Sequence, residues 1–137
     1  MSPELQAFAT GFPTTLLHAG VTVLLLIAGS AVYALLTPYK EIQQIREGNA
    51  AAAVSYGGVM IGLAAPLAFS LAAGTSLIEI ALWGAAVTVV QLLVFRLVDL
   101  MLTGLPQRAQ EGEVAPAVLL IAAKLSVSII LCAAVSG

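Results

Sequence analysis

Residues 46–62, REGNAAAAVSYGGVMIG, pass within four positions from charge to a run almost free of polar side chains. Gly48 is a natural stop for a short helix, because the position just past a helix end often takes the left-handed conformation that costs glycine least. Asn49 is a natural N-cap for the next helix, its side-chain oxygen accepting from an early backbone N–H. The alanines and glycines beyond it form an apolar segment too long for a loop. The stretch reads as the turn from a short interfacial helix into a membrane-spanning one.

Working outward, the whole chain has the same character. Of 137 residues, 61% are hydrophobic and 9% charged, with mean hydropathy +1.07. A soluble domain carries about 25% charged residues, so this chain could not cover a water-facing surface. Charges and turn residues cut it into four apolar stretches: Pro13–Leu36, Ala50–Ala73, Ile78–Leu102 and Val114–Val135. Each exceeds the roughly 20 residues that span the hydrocarbon core as a helix. Helix is the expected spanning form, because a lipid-facing backbone must satisfy its own hydrogen bonds. The expected fold is an all-α membrane protein of four transmembrane helices, with residues 1–137 as a single transmembrane domain. No Lys or Arg precedes the first stretch and it is too long for an h-region, so it is not expected to be a cleaved signal peptide. The net charge of −2 points to no acidic or basic partner and to no nucleic acid. Cys132, the one cysteine, lies in an apolar run and reads as a small core residue.

The basic residues predict orientation. Lys40, Arg46 and Arg108 all fall in the first or third connection, so the positive-inside rule places both loops in the cytoplasm and both termini outside. Within the first loop, Thr37 and Pro38 read as N-cap and N1 of the short helix, with Tyr39, Ile42 and Ile45 on one face. Glu41, Glu47 and Glu111 are expected in cytoplasmic water. The second connection, Gly74-Thr75-Ser76-Leu77, reads as a tight outer turn.

A repeat is also legible. Aligning Glu47-Gly48 with Glu111-Gly112 gives an offset of 111 − 47 = 64, at which EGNAAAAV corresponds to EGEVAPAV. Hairpin one covers about 13–73 and hairpin two about 78–137. Two helices return the chain to its starting side, so the two hairpins should share one orientation.

The loop EIQQIREGNAAAAVSYGGVMIGLA, the IEIALW start of the third helix, its late LVDLML and the second EGEVAPAVLLIAAKLSVSIIL together resemble a family of small bacterial inner-membrane proteins known as domain of unknown function 350 (DUF 350). The resemblance covers essentially the whole chain, and Gly48-Asn49-Ala50-Ala51 with Gly57-Gly58 is its most specific part. It implies an inner-membrane location and a four-helix unit of duplicated hairpins. It supplies no catalytic or ligand residues, and only a faint pointer to membrane-stress or polyamine-synthase-like proteins as partners. Two positions depart from the family pattern: Glu113 stands where the second Asn is usual, and Lys124 replaces an apolar or small residue.

Ionisable groups inside a membrane are costly and are the first functional candidates. Arg96 and Asp99 are three apart on the third helix and can pair. Lys124 falls near the middle of the fourth helix, at a depth close to that of Arg96. Two cations and one anion cannot all be neutralised within this set. One reading is a structural Arg96–Asp99 pair with Lys124 snorkelling or deprotonated. The other is a polar, water-accessible centre that attracts an anion or carries a proton. Gln91 could join either arrangement. His18 has neither a metal partner nor a nearby acid, Glu79 suits a helix start, and Trp83 suits an interfacial anchor. No phosphate loop, metal cluster or nucleophile–base pair is visible, so neither an enzyme, a metal nor a cofactor is expected.

On the second helix, Gly58 and Gly62 form a GxxxG preceded by Gly57, and Pro66 and Ser70 continue the spacing. Small faces allow close helix contact in lipid, and Pro66 leaves a backbone carbonyl free. Four helices enclose no lumen of their own, so their polar residues need either a tight internal bundle or a symmetric oligomer around an axis, and a homo-oligomer is the favoured expectation. Two functions remain open. One is a homo-oligomeric channel or small transporter with Arg96, Asp99 and Lys124 near the pathway. The other is a membrane scaffold whose loops, through Lys40, Glu41, Arg46 and Arg108, recruit a cytoplasmic or lipid partner.

Overall fold

The computed structural model describes residues 2–136; Met1 and Gly137, the ends of the expected domain, lie outside the described residues. The chain forms six helices in order: α1 (Pro3–Leu36), α2 (Glu41–Arg46), α3 (Ala50–Ala73), α4 (Leu77–Met101), α5 (Leu105–Gln110) and α6 (Val114–Ser136). There is no strand among the described residues. Helices α1, α3, α4 and α6 are long and apolar enough to cross a membrane.

Three of the four spans begin within a residue of the expected positions. The first does not: α1 starts ten residues earlier, at Pro3, and runs through Pro13. Pro3 occupies the first turn, where its missing N–H costs nothing, and the Ser2 hydroxyl accepts from the Leu5 N–H. Pro13 removes one hydrogen bond in an exposed part of the helix, which bends a helix more readily than it ends one.

The first loop is also differently capped. Thr37 is the C-cap of α1, its N–H donating to the Tyr33 carbonyl, and Lys40 precedes α2 without a side-chain cap. The end of α2 is as read. Gly48 has φ +92°, Gly48 N–H donates to the Ile45 carbonyl, and Asn49 N–H reaches the Gln44 carbonyl. This is a Schellman stop. Asn49 then caps α3, its Oδ1 accepting from the Ala52 N–H at 3.1 Å. The same geometry recurs 112 − 48 = 64 positions on, where Gly112 has φ +94°, Gly112 N–H meets the Ala109 carbonyl and Glu113 N–H meets the Arg108 carbonyl. Asn49 does one thing its counterpart cannot: its Nδ2 donates to the Gln110 carbonyl at 2.8 Å, joining the first loop to the second. Glu113 accepts two bonds from Arg108 instead, both at 2.9 Å.

Contacts fix the relative directions. Leu25 meets Gly84, Gly29 meets Thr88 and Tyr33 meets Phe95, so α1 and α4 run in parallel. Gly58 meets Ile121 and Gly62 meets Ser128, so α3 and α6 also run in parallel. Gly62 against Phe95 and Gly74 against Ile80 make α3 antiparallel to α4. The small residues do the expected packing work in lipid, with one exception. A Cβ on Gly58 would lie 2.6 Å from Ile121 and one on Gly62 2.6 Å from Phe95, whereas Gly57 faces open space.

Helix α3 is the centre of the bundle. It buries a full stripe that includes Gly58, Val59, Gly62, Leu63, Pro66 and Ser70, packing against α1, α4 and most extensively α6. The offset of 64 holds for the short helices and for the starts of α3 and α6, but not for which residues face inward. Gly62 is buried in α3 while Ser126, at 62 + 64, is exposed on α6. The inward stripe of α6 is Pro116, Ala117, Leu120, Lys124, Ser128 and Cys132, spaced mostly four apart. That stripe carries a lysine into the bundle.

Candidate functional site

Lys124 lies midway along α6 with only 1% of its surface exposed. An isolated ammonium in such a place would be prohibitive, so its partners decide whether the fold is tenable. Its Nζ lies 2.8 Å from Asp99 Oδ1 and donates to the Tyr33 hydroxyl at 2.6 Å. The Tyr33 hydroxyl in turn donates to Asp99 Oδ2 at 2.5 Å. The three side chains come from α6, α4 and α1, and each bonds the other two. Phe95 packs edge-on against the Tyr33 ring, with its own ring 6.0 Å from Nζ, closing the apolar wall around the network.

The expected Arg96–Asp99 pair is present but is not the principal contact. Arg96 Nη1 stands 3.8 Å from Asp99 Oδ2, a long ion pair outside hydrogen-bond reach. Both Asp99 oxygens are already taken at shorter range by Lys124 and Tyr33. The cation left over is Arg96, not Lys124. Arg96 is part-exposed and lines a cavity of about 340 Å³ at the loop end, together with Asp99, Tyr39, Leu100 and Gln107. The cavity thus brings the surface to the edge of the buried network.

Gln91 belongs to neither charge. Its Nε2 donates to the Gly62 carbonyl at 2.9 Å, and Ser128 Oγ donates to the same oxygen at 2.7 Å. The reason is local. Pro66 has no N–H, so the carbonyl four residues earlier, that of Gly62, loses its helical partner. Residues from α4 and α6 supply two donors in its place. Gln91 is fully buried and its Oε1 has no partner among the described residues. Beyond this level, toward the far end, the apolar side chains of Leu67, Ile80 and Val87 are buried, and a cavity of about 180 Å³ lined by Ser70, Glu79 and Trp83 lies at that end.

Glu41 corrects a second expectation. It is not in solvent: only 4% of its surface is exposed, and its Oε2 has no hydrogen-bond partner among the described residues. Burial first, then the Asp99 charge, pushes its carboxyl up to about 7, against the opposing pull of Lys124 and the Thr37 hydroxyl. Placed on α2 above the network, Glu41 is a second acid within electrostatic reach of Lys124 and Asp99. The remaining loop candidates stay apart from it. Lys40 and Arg46 are exposed, and Arg108 is held by Glu113. That mutual hydrogen bonding raises the Arg108 guanidinium and lowers the Glu113 carboxyl from their ordinary values.

Sequence reasoning missed Tyr33, Ser128 and the burial of Glu41. A signal existed for the first two. A tyrosine in an otherwise apolar span needs a partner for its hydroxyl, and Ser128 sits one turn from Lys124 on the same stripe. For Glu41 the deciding fact is that α2 folds back onto α3, which spacing alone does not reveal.

Comparison with known proteins gives a consistent picture. The family model Domain of Unknown Function (DUF350) matches residues 7–135. Among curated proteins, the chain is similar to the UPF0719 inner membrane protein YjfL of Escherichia coli K12, with 32% identity over 56% of this chain and 58% of that protein. It is also similar to the UPF0719 transmembrane protein YshE of Bacillus subtilis, with 34% identity over 49% of this chain and 50% of that protein. The matched part thus spans between half and three-fifths of the length of these curated relatives. No solved structure matches the chain.

Proposed function

The chain belongs to the DUF350 family of membrane proteins, and from that premise we propose that it is an inner-membrane transporter-like protein with a proton-exchangeable charge network at its centre. One observation carries the reading: Lys124, Asp99 and Tyr33 form a closed hydrogen-bonded set inside a membrane-spanning bundle. A buried ion pair in lipid adds little stability over an apolar core, and intramembrane charges characteristically mark pathways. The cavity lined by Arg96 and Asp99 provides access from the loop end, while the buried apolar side chains of Leu67, Ile80 and Val87 stand between the network and the far end. Access from one side with buried apolar side chains beyond suits a transporter in one of its states better than an open channel. The network is complete within one chain, so the reading does not depend on copies gathering around an axis. Lys40 and Arg46 on the loop surface favour that side as the cytoplasmic one.

The chemistry required of the residues is modest. Asp99 accepts two hydrogen bonds and is the proton acceptor of the set. Tyr33 links it to Lys124 and can pass a proton between them. Glu41 is placed to exchange protons with the loop side.

The test is potential-driven proton movement into proteoliposomes carrying an internal pH dye. The wild-type protein moves protons faster than protein-free vesicles, Lys124→Met and Asp99→Asn abolish the excess, and Tyr33→Phe reduces it. A wild-type rate equal to that of protein-free vesicles ends the reading. Orientation has its own check. A membrane-impermeant thiol reagent added outside intact cells should label Glu4→Cys but not Lys40→Cys, and the reverse pattern would invert the topology.

A further inference from the structure

We propose that the cavity at Arg96 is a binding site for a phosphate group carried by an anionic amphiphile. The first argument is charge. Asp99 is engaged at short range by Lys124 at 2.8 Å and Tyr33 at 2.5 Å, and Arg96 meets it only as a long ion pair at 3.8 Å, beyond hydrogen-bond reach. Among the described residues the guanidinium makes no hydrogen bond, and it lines a cavity of about 340 Å³, room for a phosphate and its ester substituents. A guanidinium also presents paired donors in the fork geometry that phosphate oxygens match.

The second argument is depth. Arg96 lies five residues before Met101, the last residue of α4, or roughly 7.5 Å along the helix axis. That places its head group near the boundary between hydrocarbon and lipid head groups. Tyr39 and Gln107 bring a phenol and an amide to the same walls.

The third argument is the shape of the opening. Leu100, which lines the cavity, is itself 64% exposed, and its neighbour Met101 is 73% exposed. The polar cavity therefore opens onto an apolar flank of α4. A free anion uses only the first of these surfaces. A phospholipid uses both, with its phosphate at Arg96 and its chains along the flank. The site goes beyond the transport reading and stands whether or not the network moves protons.

The experiment is native mass spectrometry of the intact protein from detergent, titrated with dioleoyl phosphatidylglycerol, with phosphate-free dioleoylglycerol, or with inorganic phosphate. The wild-type protein retains one phosphatidylglycerol in preference to dioleoylglycerol. Arg96→Gln weakens that binding about tenfold, as expected for loss of one charge-assisted contact. Arg96→Lys, which keeps the charge and loses the fork, falls between, and it keeps the test valid if Arg96→Gln fails to fold. Arg108→Gln, at a cation already held by Glu113, changes nothing. If millimolar inorganic phosphate displaces the lipid, the site is a general phosphate site and the amphiphile part of the proposal is overturned; if it does not, the apolar flank is part of recognition, as proposed. Equal retention of the two lipids by the wild-type protein, or unchanged phosphatidylglycerol binding in both Arg96 variants, overturns the proposal.

Discussion

Replacing Lys124 by Met keeps side-chain length and removes the ammonium. Asp99 is then left with the Tyr33 hydroxyl and with Arg96 at 3.8 Å. Removing one partner of a buried ion pair costs about 3–5 kcal/mol. Arg96 is a small rotation from a better contact and can recover part of the loss, so about 3 kcal/mol is expected. Asp99→Leu is the harsher change. It leaves a buried ammonium with the Tyr33 hydroxyl as its one hydrogen-bond partner, and about 5 kcal/mol is expected. The double variant removes both charges. It exchanges a buried pair for apolar side chains of similar size, which is often neutral, and leaves Tyr33 without a partner at about 1–3 kcal/mol. The double variant should therefore be several kcal/mol more stable than the sum of the singles implies. Unfolding in mixed micelles, followed by fluorescence of Trp83, the one tryptophan, measures all three. Additivity within about 0.5 kcal/mol would refute the network, since uncoupled sites add to that accuracy.

The same assay reads the other perturbations. Gln91→Leu and Ser128→Ala together strip the Gly62 carbonyl of both donors and should cost about 2 kcal/mol; Pro66→Ala, which restores a backbone N–H, should suppress that loss, and failure of the rescue would discount the proline account. Gly58→Ala places a Cβ 2.6 Å from Ile121 and should cost about 1–3 kcal/mol, whereas Gly57→Ala meets open space and should be near neutral; equal effects would mean the helix is rotated. Glu41 titrates at about 7 when folded against 4.5 ordinarily, so the native state binds its proton more tightly. Its contribution is full below pH 4.5 and is lost as pH rises to about 7, by at most about 3 kcal/mol. Glu41→Gln should flatten that slope, and an unchanged slope would place the titrating group elsewhere.

The legible part of this fold is what composition and local chemistry dictate. Span lengths, the Gly48 stop, the Asn49 cap and the carbonyl freed by Pro66 each follow from a residue and its immediate neighbours. The choice of partners was not legible. Whether Asp99 meets Arg96 on its own helix or Lys124 on another depends on helix rotation, and every face of these helices is apolar enough to point anywhere. A uniformly hydrophobic helix carries no amphipathic signal to fix that rotation. Small residues fixed it instead: Gly58 and Gly62 admit Ile121 and Phe95, and that docking turns Lys124 and Asp99 inward together. Glu41 was misread for a related reason, since a charged residue in a loop is placed in water until the loop is known to fold back.

The ion pair also bears on biogenesis. Asp99 and Tyr33 leave the ribosome well before Lys124, which arrives on α6 after the five other helices. Until then the carboxylate has no ammonium partner and must rely on the Tyr33 hydroxyl and the more distant Arg96. A chain that stops short of Lys124 keeps that defect permanently. Quality-control proteases that survey the membrane for exposed polar groups would have a built-in mark of incompleteness, erased only when α6 docks.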